Sequence, residues 1–370
     1  MVAYLIAGGH TSLFDPAVGA GAFFHAARLI AQEEGREITL FGTEIDAEAL
    51  HEARCHGLTD NDLAHVELRD FVLDPPQHGI PAIVANPPYI RHHRLSQTVK
   101  AQLRALSERL IGTPLDGRAG LHNYFLLRAL ELLAPDGHLA FILPADTVEG
   151  VSARKLWSWI VTHYRLEAVI TFTPEATPFP NVDTNTLIFL VRNAPPTDTF
   201  LWVKCLREHP NHLKQWILSR FNAPPPASME VHRRSVQEAL ITGISRMPQT
   251  DRAQYALSDF ARVMRGIATG ANEFFFLTQQ RAHQLNLPDQ FLIPALGRTR
   301  DVVGDEVTAE TLRAADAAGR PTLLFAPDGR AIKQFPQAQG WRLFGDAEAT
   351  AKVFRDVLDW SDMDRCTESM

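Results

Sequence analysis

The 370-residue chain has little cysteine. Its three, Cys55, Cys205 and Cys366, are far apart and odd in number. That excludes a disulfide framework and a paired-thiolate metal site, and it suits a reducing compartment. No apolar run reaches the roughly 18 residues that a spanning helix needs. The N-terminus lacks a basic stretch and a small-residue cleavage site. An excess of positive charge is also missing. Lys and Arg number 36 against 43 Asp and Glu, a net charge of −7 that does not advertise nucleic-acid binding. There is no internal repeat and no recognisable nuclease motif. What remains is an ordinary globular composition, long enough for a large core and about two domains.

Strands alternate with helices over the first half. Leu13-Phe14 reads as a strand feeding Asp15-Pro-Ala-Val-Gly-Ala-Gly-Ala-Phe23, with a helix over 22–34. A strand over 37–43 and a helix over 47–56 follow, then a strand over 66–68 that ends at Asp70. Residues 82–85 form a fourth strand, and helices over 96–111 and 123–133 come next. A Pro-Asp-Gly turn introduces a fifth strand over 138–144. A helix over 151–162 and strands near 166–172 and 186–191 complete a mostly parallel sheet with helices on both faces. Asn193-Ala-Pro-Pro-Thr-Asp198 reads as a domain edge and 222–228 as a loop. Beyond about residue 255 the pattern is irregular, with short β-like runs at 272–277 and 322–325.

Local charge says more than net charge. Between residues 91 and 130 stand Arg91, Arg94, Lys100, Arg104, Arg109, Arg118 and Arg128, against Glu108 and Asp116. Residues 199–300 also lean basic, through Arg233-Arg234, Arg262, Arg265, Arg298 and Arg300. A basic stripe on an acidic body can hold a phosphate backbone, and it can equally be a solvated helix face.

Asn86-Pro-Pro-Tyr89 closes the apolar run Ile83-Val84-Ala85. Open α/β sheets bind ligands beyond the carboxyl ends of their strands, so Asn86 stands where chemistry usually occurs. Pro87 and Pro88 have no N–H and leave a stiff turn with free carbonyls. Asn86 adds a side-chain carbonyl and Tyr89 a flat ring, a combination that suits a planar group bearing an NH2. Alone, the tetrapeptide is as well read as a strand-ending turn. Three further strand ends carry matching residues. Gly19 and Gly21 let a backbone approach a ligand at a helix start. Glu44, 23 residues past Gly21, is placed to bind ribose hydroxyls, and Asp70 to accept from an amino group.

Together these residues resemble S-adenosylmethionine-dependent methyltransferases, and more narrowly the gamma-class N6-adenine DNA methyltransferases of restriction–modification systems. Asp15-Pro-Ala-Val-Gly-Ala-Gly-Ala-Phe23 matches that family's cofactor loop, including Asp15, Ala17, Gly19, Gly21 and Phe23. Thr43-Glu-Ile-Asp46 matches its ribose-binding motif through Glu44 and Asp46, and Asp70-Phe71 its adenine-contacting acid. Asn86-Pro-Pro-Tyr89 matches its catalytic motif. His122-Asn-Tyr-Phe125 and the strand over 135–144 match the helix and strand that follow it. Phe179-Pro180 falls where the family places an aromatic that stacks on the flipped base. Residues 257–276, with Arg265, Thr269 and Asn272, resemble the opening of a recognition domain.

The resemblance implies a Rossmann-like methyltransferase sheet with a C-terminal, mixed α+β target-recognition region. It divides the chain into a catalytic domain over 1–195, a connecting segment over 196–254 and a partial recognition domain over 255–370. It implies S-adenosylmethionine as cofactor and no metal. It makes double-stranded DNA the partner, through Arg91, Arg94, Arg265, Thr269 and Asn272, with a restriction endonuclease alongside and no membrane. The expected setting is the cytoplasm, with the nucleoid. Only 14 residues precede Asp15, and the acidic stretch 301–370 stops soon after the recognition region opens. Truncation at both ends is therefore an expectation as well. Two alternatives stand: the same chemistry on a protein glutamine or an RNA base, and an inactive remnant that binds cofactor or DNA without turnover. His92-His93 read as loop caps or as phosphate contacts, the Trp157–Trp159 pair as packing, and Asn123-Tyr124 as either pocket or core.

Overall fold

A computed structural model describes residues 1–77, 79–90, 94–149, 153–179, 185–248, 260, 275–297 and 307–326. The chain divides into two compact units, Met1–Arg252 and Ala253–Met370.

Four short parallel strands begin the first unit: β1 (Ser12–Asp15), β2 (Thr39–Glu44), β3 (Val66–Leu68) and β4 (Ile80–Ala85). They pair in the order β3-β2-β1-β4, and β5 (Leu133–Pro144) adds in parallel beside β4. Next to β5 lies β7 (Thr186–Arg192), which runs antiparallel between β5 and β6 (Arg165–Phe172). β8 (Thr199–Cys205) and β9 (Met229–Ser235) complete a nine-stranded sheet, β3-β2-β1-β4-β5-β7-β6-β8-β9.

The side-chain period of two explains the sandwich. On β4, Ile83 and Ala85 enter one core while Ala82 and Val84 enter the other, and all four are fully buried. Such unbroken apolar runs mark strands covered on both faces. One face is covered by α1 (Val2–Ala7), α2 (Ala22–Glu33), α3 (Ala47–Cys55) and α8 (Pro210–Leu218), through residues such as Leu5, Phe24, Leu50 and Trp216. The other is covered by α4 (Gln97–Ile111), α5 (Leu121–Leu132), α6 (Asp146–Glu149), α7 (Ala153–His163) and α9 (Val236–Thr242), through Leu103, Leu126, Val148, Trp157 and Ala239. Each fully buried Leu or Phe contributes about 1.5–3 kcal/mol. α4 starts where Ser96 Oγ accepts from the Val99 N–H at 3.3 Å, and stops at Gly112 with φ +73°.

Two sequence readings are corrected. Residues 193–198 do not end the sheet: Asn193 Nδ2 donates to the Leu133 and Ala134 carbonyls at 2.8 and 3.0 Å, and β8 and β9 follow in the same sheet. The segment 196–254, expected as a connector, therefore supplies two strands and α8 and α9. Nor does Pro135-Asp-Gly137 make a separate turn. β5 runs through it, absorbing Asp136 at φ +60° with a register shift opposite Ile80–Ala82. Tyr124 and Trp157 are core residues, 3% and 1% exposed.

In the second unit, β10 (Phe276–Leu277), β11 (Leu292–Pro294) and β12 (Leu323–Phe325) form an antiparallel sheet in the order β10-β12-β11. α10 (Gln279–Gln284) and α11 (Ala309–Ala317) accompany it. Its core is built from Phe275, Leu277, Leu287, Phe291, Leu324 and Phe325. Arg265, Thr269, Asn272, Arg91 and the His92-His93 pair lie outside the described residues.

Candidate active site at the carboxyl edge of the sheet

Because β3, β2, β1 and β4 are neighbours, Asp70, Glu44, Asp15 and Asn86 stand in one row along the carboxyl edge. The sequence separates them by up to 71 positions; the strand order brings them together.

Asp15 ends β1 and is 1% exposed, with its Oδ1 accepting from the Ala17 N–H at 3.0 Å. Burial pushes its carboxyl up to about 7, against the Ala17 bond and with a smaller push from Glu44. The loop after it turns through Gly19 at φ +53° and Gly21 at φ +82°, where α2 begins. Glycine is required at 21 twice over: the backbone is left-handed, and a Cβ there would lie 2.2 Å from Leu58 Cδ1. Ala17 and Phe23 are half-buried and pack against the core.

Glu44 holds this loop closed. Its Oε2 accepts from the Gly19 N–H at 2.8 Å, and its Oε1 from the Ile45 and Asp46 N–H groups at 2.7 and 3.0 Å. Asp46 caps α3 by accepting from the Glu48 N–H at 2.9 Å. Asp70 Oδ1 accepts from Val72 and Leu73 at 2.8 and 2.9 Å. The Phe71 ring is 2% exposed and packs between Phe14 and Phe125, so only its backbone faces the edge's chemistry.

Asn86 is exposed, and no described residue shares a hydrogen bond with its side chain. Pro87 behind it is buried and Pro88 half-buried. Tyr89 keeps 40% of its surface exposed while its Oη donates to the Ile142 carbonyl at 3.2 Å. Burial, with Asp146 adding to it, pushes the Tyr89 phenol up to about 12, so it stays neutral. The start of α5 braces this turn. Leu121 N–H donates to the Ile90 carbonyl at 2.9 Å, and the buried His122 ring meets Tyr89 edge-on at 5.6 Å. Gly120 makes room for that ring, since a Cβ there would lie 2.5 Å from His122 Cε1. Burial lowers the pKa of His122, opposed by Asp146 at 3.7 Å. Asn123 Nδ2 donates to the Gly120 carbonyl at 3.3 Å. His122 is the contributor that sequence reading missed as a pocket residue; the spacing Gly-Leu-His-Asn before an apolar helix was the available signal.

Phe179 is half-buried in the β6–β7 connection, at the end of β6 that reaches the carboxyl edge. Part of the basic stripe is paired within the chain. Arg109 and Arg128 both bind Glu131 at 2.5 Å, and Arg118 binds Asp116 at 2.9 Å. Arg94 is exposed. Arg234 is 1% exposed and turns inward, where it donates to the carbonyls of Gly243, Ile244 and Arg246. Among the described residues no helix is long and apolar enough to cross a membrane, and no cluster of His, Cys, Asp and Glu could hold a metal ion.

Two family models match this chain. The one described as Eco57I restriction-modification methylase matches residues 39–179, and the one described as type II methyltransferase M.Eco57I, C-terminal domain, matches residues 234–349. Type II methyltransferase M.AccI of Acinetobacter calcoaceticus is 23% identical over 85% of this chain and 57% of its own length. Type II methyltransferase M.XamI of Xanthomonas campestris pv. amaranthicola is 28% identical over 82% of this chain and 55% of its own. The chain thus spans about half the length of these curated relatives. The solved structure of the type IIL restriction-modification enzyme MmeI in complex with DNA shares the fold, with a TM-score of 0.53 at 14% identity over 94% of this chain and 50% of that one.

Proposed function

We propose, from the match of residues 39–179 to the Eco57I restriction-modification methylase model and of residues 234–349 to the M.Eco57I C-terminal model, that this chain methylates the amino nitrogen of adenine in double-stranded DNA, using S-adenosylmethionine. The observation that carries the reading is Asn86: an exposed amide, bonded to no described residue, on a stiff turn at the end of the row of cofactor-type residues.

The residues fit the cofactor. Glu44 has three N–H bonds on a carboxylate that offers about four acceptor sites, which leaves one for a ribose hydroxyl. Both bonds that Asp70 accepts fall on Oδ1, which leaves Oδ2 for an adenine amino group. Gly19 and Gly21 keep side chains out of the loop, above Asp15, with Ala17, Phe23, Asp46 and the Phe71 backbone around it. When bound, S-adenosylmethionine supplies an electrophilic methyl group.

The remaining work belongs to the chain. An adenine amino nitrogen shares its lone pair with the ring and is a poor nucleophile. Asn86 Oδ1 and the Pro87 carbonyl accept its two N–H bonds, which favours a pyramidal nitrogen with its lone pair directed outward. They would also stabilise the positive charge that develops on the nitrogen as the methyl carbon exchanges its bond to sulfur for one to nitrogen, before one amino proton is lost to solvent. Tyr89, set by Ile142 and His122, and Phe179 stack on the base, at about 1–3 kcal/mol per stacked base. That offsets the few kcal/mol needed to flip it from the duplex. Arg94, Arg91 and the second unit's Arg265, Thr269 and Asn272 serve DNA contact. A restriction endonuclease is the expected functional partner, and the cytoplasm the place of action.

Tritiated methyl transfer to plasmid DNA, followed by nucleoside analysis, tests this. Wild type should yield N6-methyladenine. Asn86→Ala should lower the rate at least about 100-fold, as loss of a charge-stabilising acceptor does, with unchanged folding because the side chain is exposed. Label in protein or RNA instead of DNA would overturn the reading.

A further inference from the structure

A second site lies on the other edge of the same sheet. The register places His138 of β5 opposite Arg192 of β7, and Arg192 opposite Arg165 of β6. All three stand toward the amino ends of the parallel strands, away from Asn86. There a cavity of about 550 Å3 opens, lined by Arg165, Arg192, Arg220 and Arg233 with Glu167 and Tyr4. That volume falls within the range of small-molecule sites, about 300–1,000 Å3.

Four features of this cavity run against stability unless a ligand offsets them. Arg165 and Arg192 face each other directly across an antiparallel pair, an arrangement that is destabilising for like charges. Glu167 is the one acidic residue in the lining and already accepts from Tyr4 Oη at 2.8 Å, while Asp136, outside the lining, pairs with Arg192 at 3.2 Å. Arg192 Nε is buried without a partner. Finally, Arg220 and Phe221 take successive left-handed conformations, φ +55° and +62°, and both line the cavity. A bulky residue there is strained by about 1–3 kcal/mol, and such strain clusters at ligand sites. The lining also includes the half-buried Phe221, beside Phe200 and Trp216, which are buried in the core. Burial lowers the pKa of His138 to about 4, with His10 next and smaller contributions from Arg192 and Arg220.

We propose that this cavity binds a phosphate-bearing small molecule of nucleotide size, with Arg165, Arg192, Arg220 and Arg233 holding the phosphates and Phe221 beside the base. Guanidinium forks match phosphate oxygens bidentately, and each of the four has donors beyond the bond it makes within the chain. Arg165 Nε donates to Pro195 O, Arg220 Nε to Ala7 O, one Arg192 nitrogen to Asp136 and one Arg233 nitrogen to Thr199.

Titration calorimetry at low salt, with ATP and then tripolyphosphate, tests it on the whole chain. ATP should bind saturably and tripolyphosphate should compete. Arg233→Glu alters an exposed residue, and Arg220→Gly relieves a left-handed backbone, so neither should lower Tm; each should weaken ATP binding at least about tenfold. Because ATP could instead occupy the cofactor row, Glu44→Gln is the control. Binding lost with Arg233→Glu and kept with Glu44→Gln supports the site, whether or not DNA is methylated. No saturable heat at millimolar ATP, full binding by both arginine variants, or loss only with Glu44→Gln each overturns it. Duplex DNA binding that the arginine variants abolish, without ATP binding, also overturns it.

Discussion

Asp15 is a carboxyl that the fold keeps close to neutral, and this makes stability depend on pH in an unusual direction. Its folded value of about 7 lies well above the ordinary aspartate value of 3.8. The folded state therefore holds the proton more tightly than the unfolded chain does. Below about pH 4 both states are protonated; as pH rises toward 7 the unfolded chain ionises first and stability is lost. Above about pH 7 both are ionised, and the folded state carries the full penalty of a charge buried beside Glu44. Over the full shift the linkage is about 4 kcal/mol, of which about 2.5 falls between pH 5 and pH 8. Asp15→Asn removes the titration while its Oδ1 can still accept from Ala17. The variant gains a buried NH2 of its own, so its absolute stability is not the readout. Urea unfolding at both pH values gives two slopes. Other groups titrate in both proteins and cancel in the comparison. Wild type should lose about 2.5 kcal/mol more than Asp15→Asn on going from pH 5 to pH 8. Equal pH dependence in the two proteins would show that Asp15 is already ionised in the fold, and the account of its burial would be wrong.

Gly21→Ala should cost about 2–4 kcal/mol in unfolding free energy, from a left-handed alanine and the overlap with Leu58; a loss below about 0.5 kcal/mol would contradict the described loop geometry. Arg234→Met should cost about 3–5 kcal/mol, because Glu238 and the Gly243, Ile244 and Arg246 carbonyls lose their shared donor. Hydrogen exchange at the end of α9 should rise with it; protection unchanged from wild type would contradict that role.

The strand ends at Asp15, Glu44 and Asn86 were legible because a buried parallel strand is largely apolar and ends abruptly, whereas Asp70 follows the short, exposed edge strand Val66–Leu68 and stood out only by its order after them. Strand direction was not legible. A period of two looks the same either way, so nothing in Thr186–Arg192 announced that β7 is reversed. The prolines at 195 and 196 misled for a physical reason. Their φ suits a linker, while the fixing is done by the Asn193 side chain on carbonyls 59 and 60 residues away. His122 against Tyr89 and the four cavity arginines are likewise products of register, which a single sequence does not display.

The clasp made by Glu44 has an implication for reading other chains of this kind. Of its three bonds to backbone N–H groups, one ties it to Gly19 of the glycine loop and two fix the turn through Ile45 and Asp46 into α3. Folding alone would therefore retain an acid at this position, even in a copy that had stopped using a cofactor. Asn86 is bound by no such debt to the scaffold. In a degenerate copy it should be the first of the row to drift, so an intact asparagine there is the better sign of a working enzyme.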